Sequence, residues 1–230
     1  MDSVQRWSRQ QISAAVSDLG WRYVLGALCT SVRTASLAQA AELAGHLTRA
    51  LGQDAEGRLR LDLRPDRVLL TVPPPTAEGP TPDEVDLARR IAALAADRGT
   101  RLDPGVGTDT RAVQLVEIAV DALDIARIRP FWKAVLGYVD EAGASGPEDP
   151  LIDPLGQHPA VWFQQMTEPR PQRNRIHLDV SVPHDEAEQR VAAALAAGGT
   201  LRSADRAPAF WVLADAEGNE VCVTTWQGRD

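Results

Sequence analysis

Residues 174–182 read NRIHLDVSV, and their alternation decides how the second half of the chain is read. Ile176, Leu178, Val180 and Val182 fall on one side of an extended strand and His177, Asp179 and Ser181 on the other, the period of a half-buried β-strand. His177 is therefore expected to point away from the apolar packing face. A histidine there suits a metal ligand or an acid/base, and equally an ordinary hydrogen-bonded side chain. Partners elsewhere in the chain have to decide between these.

The strand opens a run of elements that repeats an earlier one. VQLVEIAVDA, from Val113, alternates with Glu117, Ala119 and Asp121 opposite Val116, Ile118 and Val120, and LDIARIRPFWKAVLGY follows as an amphipathic helix despite Pro130. A polar stretch from Asp140 to Pro159 leads to AVWFQQM. After NRIHLDVSV come the helical HDEAEQRVAAALAAGG and strands around FWVLADAEGNEVCVTTW. The expected fold is α+β, with a pair of βαβββ modules forming a curved sheet around a cleft, because each module must bury one face of its sheet. Glu117 and His177 hold equivalent places in the two halves. Glu220, Cys222 and Thr224 share one face of the last strand, whereas the phase of Gln164 and Gln165 stays open in VWFQQM. Glu117, Gln164 or Gln165, His177, and Glu220 or Cys222 could converge on one cleft, a set suited to zinc, manganese, iron or nickel. Arg173 and Arg175 share the alternation of His177 and suit a substrate carboxylate or plain exposure to water.

The first half is a separate α+β pattern. Ser36 is expected to cap LAQAAELAGHLTRALG, with Gly52 as its stop, and Thr81 to cap PDEVDLARRIAALAADRG. RLRLDLR and DRVLLTV, separated by Pro65 and Asp66, read as a hairpin that ends at Pro73 to Pro75. DRGTRLDPGVGTDTRA has no apolar period, which places domains at 1–99 and 113–230 and a linker at 100–112.

Composition bounds the partners. The 230 residues are 44% hydrophobic, enough for packed cores, and the net charge of -8 without a basic cluster argues against nucleic acid or an anionic membrane surface. A small-molecule ligand stays open. Cys29 and Cys222 form no CxxC spacing and read as reduced thiols, and no apolar run approaches the ~18 residues that cross a bilayer. The expectation is a cytoplasmic protein. Four of the six tryptophans, Trp132, Trp162, Trp211 and Trp226, lie in the second domain, where such rings fill a core or stack on a planar ligand.

Two family resemblances follow. LDLRPDRVLLTV with PTPDEVDLARRIAALA resembles the pterin-4a-carbinolamine dehydratases over about residues 8–99, with the family's acidic helix residue at or next to Glu84. The family's chemistry rests on histidines, and Gly57, Arg58 and Pro75 stand at those places; without imidazoles nothing there suits proton transfer near neutral pH. His46, one helix earlier, reads as a surface or packing residue. The resemblance thus implies the fold without the activity, leaving ligand binding, homodimer formation or shielding of the second domain. EIAVDALDIARIRPFWKAVLG, NRIHLDVSV and LADAEGNEVCV resemble the vicinal oxygen chelate superfamily of glyoxalases and bleomycin-resistance proteins. That resemblance implies metal ligands at Glu117, Gln164 and His177, with a last ligand where this chain has Cys222 in place of the usual glutamate, and Glu220 two residues earlier. It further implies a metal acting as Lewis acid in a lyase, isomerase or dioxygenase, with Glu220 or Glu117 moving a proton. The alternative it implies is a non-catalytic protein that sequesters a planar drug or metabolite.

Overall fold

A computed structural model describes residues 7–76, 79–106, 112–169, 172 and 176–228. The chain divides into two compact units, Met1–Leu115 and Val116–Asp230. Both are mixed α+β. Among the described residues no helix is long and apolar enough to cross a membrane.

Unit 1 runs α1 (Arg9–Ser17), β1 (Arg22–Val24), β2 (Ala27–Arg33), α2 (Leu37–Leu51), β3 (Arg60–Arg64), β4 (Arg67–Val72) and α3 (Pro82–Asp97). The helices begin where local chemistry supplies acceptors for their first amides. Ser36 accepts from the Gln39 amide, and Thr81 and Glu84 form a reciprocal capping box with Pro82 at the first helical position. Gly52, at φ 56°, ends α2 in a conformation that costs glycine little. The strands form one antiparallel sheet in the order β1-β2-β4-β3, with Pro65 and Asp66 making the tight turn between Arg64 and Arg67. Trp21, Leu28, Leu47, Leu70 and Ile91 are fully buried between this sheet and its helices.

Part of the segment expected as a linker belongs to this unit. Leu102 bridges to Val32, and the Asp103 amide donates to the Ser31 carbonyl at 2.7 Å. Asp103 also takes the Arg33 guanidinium at 3.0 Å. Polar composition hid a stretch fastened by backbone pairing, and residues 107–111 lie outside the described residues.

Unit 2 runs strand, helix and three strands twice. The first set is β5 (Glu117–Ala122), α4 (Ile125–Leu136), β6 (Val139–Asp140), β7 (Leu151–Ile152) and β8 (Ala160–Gln165). The second is β9 (Leu178–Ser181), α5 (Ala187–Ala196), β10 (Thr200–Ser203), β11 (Phe210–Ala214) and β12 (Glu220–Thr224). The sheet orders are β5-β8-β7-β6 and β10-β11-β12-β9, and in each the first strand of the set runs parallel to the last. Among the described residues the hydrogen-bonded ladders make two four-stranded sheets rather than one continuous sheet. Their helices join them. Phe131 and Trp132 of α4 share a core with Val191 and Ala194 of α5 and with Val120, Val161, Leu213 and Val221 of the strands. Gly199 permits that contact, because a Cβ there would lie 2.3 Å from the Phe131 ring.

Two strands are shorter than the sequence pattern. β5 starts at Glu117 rather than Val113, and β9 starts at Leu178, so His177 lies just outside it. For β5 the alternation extends beyond the point where β8 is available to pair, since the ladder begins at Glu117 and Ala160.

Candidate functional site

A cavity of about 1030 Å³ opens in unit 2, bordered by β5, the β5–α4 turn, the segment after β8 and the β11–β12 turn. Leu123, Met166 and Ile176 give it an apolar side, whereas Asp121, Asn219 and Glu220 give it a polar one. Leu123 and Ile176 are 41% and 77% exposed, large apolar side chains held at the surface around the opening.

The polar side is built on the turn DAEGN. Asp215 is 2% exposed. Its Oδ1 accepts the amides of Glu217 and Asn219, both at 2.9 Å, while its Oδ2 accepts Trp132 Nε1 at 3.0 Å and Asn219 Nδ2 at 2.8 Å. A buried carboxylate with four donors is fully satisfied. Glu217 reaches the other sheet. Its two oxygens accept the backbone N–H groups of Leu123 and Asp124, each at 2.7 Å, and Asn219 Nδ2 donates also to the Asp121 carbonyl at 3.3 Å. These bonds fasten the end of β5 to the β11–β12 turn. Sequence reasoning assigned no role to Asp215, Glu217 or Asn219, and left Trp132 between core filling and ligand stacking. An Asp followed by Gly-Asn four residues on signals a turn organised by a side chain, but nothing local points Glu217 to amides more than ninety positions away.

The register places each expected ligand. Gln164 pairs with Asp121 and Gln165 with Ala122, which puts Gln164 on the face of Glu117 and Gln165 on that of Ile118. Gln165 Nε2 is engaged by the carbonyls of Leu123 and Met166, at 2.8 and 2.9 Å. Leu178 pairs with Val221 and Asp179 with Cys222, so His177 and Glu220 immediately precede the first of these pairs. Of Glu117, Gln164, His177, Glu220 and Cys222, Glu220 borders the cavity and the other four do not. Glu117 is exposed at the start of the first sheet, His177 is exposed before β9, and Cys222 is 8% exposed within the second sheet. Among the described residues no group of three or more His, Cys, Asp or Glu is placed to hold a metal ion. Glu117 and Glu220 belong to different sheets, a relation that alternation along a strand does not assign. Arg173 and Arg175 lie outside the described residues.

Carboxylates around β6 have contrasting environments. Lys133 and Arg129 hydrogen-bond Asp140 at 2.6 Å and hold its carboxyl below the usual range. Burial, with Glu117 and Asp149 nearby, pushes Glu141 up.

In unit 1, Arg58 forms an ion pair with Glu84. Its Nη2 lies 2.8 Å from Glu84 Oε1, and Thr81 donates its hydroxyl at 2.6 Å and its amide at 2.9 Å to Oε2. Burial raises the Glu84 carboxyl, but the Thr81 and Arg58 donors outweigh it and leave it below its ordinary value. Both oxygens of Glu84 are thus engaged in structure. His46 is half-buried, and its Nε2 has no hydrogen-bond partner among the described residues.

Residues 117–224 match the family described as glyoxalase-like domain. A search of curated proteins found no match. Similar solved structures include a glyoxalase/bleomycin resistance protein/dioxygenase family enzyme from Burkholderia phytofirmans PsJN, 19% identical over 47% of this chain and 95% of that one, TM-score 0.39. Another is a glyoxalase/bleomycin resistance protein from Albidiferax ferrireducens T118, 18% identical over 48% and 97%, TM-score 0.38. A third is the fosfomycin resistance protein FosX from Mesorhizobium loti, 12% identical over 50% and 92%, TM-score 0.39. These likenesses lie in the C-terminal unit, where residues 117–224, just under half of the chain, are similar to the glyoxalase-like domain family.

Proposed function

We propose that unit 2 is a vicinal oxygen chelate domain whose cavity binds a small molecule with an apolar body and a polar end. The cavity itself carries this reading: about 1030 Å³ with an exposed apolar rim and a hydrogen-bonded polar wall, the make-up of a ligand site. Unit 1 has the role of a dehydratase-like domain without dehydratase activity, since Gly57, Arg58 and Pro75 stand where the resemblance implies histidines. Titration with naphthalene derivatives, followed through tryptophan fluorescence with Trp132 in the cavity wall, tests the binding reading. Saturable one-to-one binding supports it, and failure to saturate with any bicyclic aromatic rejects it.

A second reading, metal-assisted conversion of an oxygenated substrate, is favoured by one observation: His177 and Glu220 immediately precede the paired residues Leu178 and Val221. Metal analysis of the purified protein separates the two. Stoichiometric metal that is lost in both His177→Ala and Glu220→Gln establishes the second reading, and metal content unaffected by either substitution removes it.

A further inference from the structure

We propose that Asn219 determines the specificity of this cavity, presenting its side-chain carbonyl as a fixed acceptor for a hydroxyl or N–H group of the ligand. The inference rests on the cavity being a ligand site and names the chemistry recognised there. It follows from how the rest of Asn219 is used. Its backbone N–H donates to Asp215 Oδ1 and its backbone carbonyl accepts from the Asp215 amide at 3.0 Å. Its Nδ2 faces two groups that can only accept, the Asp215 carboxylate at 2.8 Å and the Asp121 carbonyl at 3.3 Å. That fixes which end of the amide is nitrogen, because the flipped amide would set oxygen against oxygen twice.

Oδ1 is then the one polar atom of Asn219 left over. It has no hydrogen-bond partner among the described residues, and Asn219 borders the cavity. The amide cannot turn to offer a donor instead without breaking both Nδ2 bonds. Asp215 is in turn held by Trp132, and the turn is tied to β5 by Glu217. An acceptor pre-oriented in this way discriminates strongly, since a ligand without a donor leaves the carbonyl desolvated and unpaired.

Naphthalen-2-ol and 2-methoxynaphthalene, compared by calorimetry on the full-length protein, test the inference. The two share a ring system, and the methoxy compound is the more apolar, so burial alone favours it. The hydroxyl compound is expected to bind about three- to tenfold more tightly, and the carbon-13 shift of the Asn219 side-chain carbonyl to move with it and not with the ether. In Asn219→Ala the preference is expected to vanish. Equal affinities in the wild type, an unmoved Asn219 carbonyl, or an undiminished preference in folded Asn219→Ala would each overturn the inference and leave the cavity reading standing. Failure of every bicyclic aromatic to bind, these two included, overturns the cavity reading and the inference with it. The two wild-type measurements decide the matter even if Asn219→Ala does not fold.

Discussion

The indole N–H of Trp132 lies 3.0 Å from the carboxylate of Asp215, a bond between two buried side chains 83 positions apart. It ties α4 to the turn that carries Asn219. Trp132→Phe keeps most of the ring volume but leaves one lone pair of a buried carboxylate unanswered, and is expected to cost about 1–2 kcal/mol. Urea denaturation measures the loss. An unchanged midpoint would show that the other three donors satisfy Asp215 without it.

Glu217→Ala removes the acceptor for the amides of Leu123 and Asp124. Hydrogen exchange at those two amides is expected to rise at least about tenfold, with exchange in the centres of α4 and β12 little changed. Glu217→Gln should restore protection at only one amide, since its single carbonyl oxygen replaces two carboxylate oxygens. Equal protection of both in all three proteins would mean that the two sheets are held at this end by other contacts.

Gly199→Ala tests the contact between the two helices. The added methyl would lie 2.3 Å from Phe131 Cδ2 and 2.9 Å from the Ala194 carbonyl, so ring and helix end must both move. Overpacking of this kind costs about 1–3 kcal/mol. Phe131→Leu in the same chain should recover part of the loss, and a double variant no more stable than Gly199→Ala would place the strain elsewhere.

The Arg58–Glu84 pair makes unit 1 sensitive to acid. The Glu84 carboxyl is held below its ordinary value in the folded state, so its contribution to stability is present above the unfolded value, about 4.3, and is lost as pH falls through the folded value. The stability difference between wild type and Glu84→Gln should therefore shrink as pH is lowered from about 6 to about 3. Arg58→Ala, which leaves a carboxylate with a side chain 5% exposed, is expected to cost roughly 2–3 kcal/mol at neutral pH. A difference independent of pH would remove the charge of Glu84 from the explanation.

Much of the local structure was legible from residues alone. Ser36 and Thr81 cap the helices they precede, and Pro65 and Asp66 turn the hairpin, because caps and tight turns are made by side chains within a few positions of the backbone they serve. Strand lengths were not, since pairing rather than alternation sets them: β5 and β8 begin together at the pair Glu117 and Ala160. The phase of VWFQQM was settled by pairing with β5, which carries Trp162 and Gln164 to one face and buries Val161 and Phe163 on the other.

The sequence by itself determined where the capped helices begin, where the hairpin turns and which face of each element is apolar. Only the tertiary structure decided which polar residues meet. Period-two alternation assigns a side chain to a face, but it is blind to what lies opposite, and opposition across two sheets is set by register, turns and helix packing together. Glu117 and His177 therefore looked equivalent in sequence while Asp215, Glu217 and Asn219 built the polar wall, through hydrogen bonds that join residues 83 to 98 positions apart.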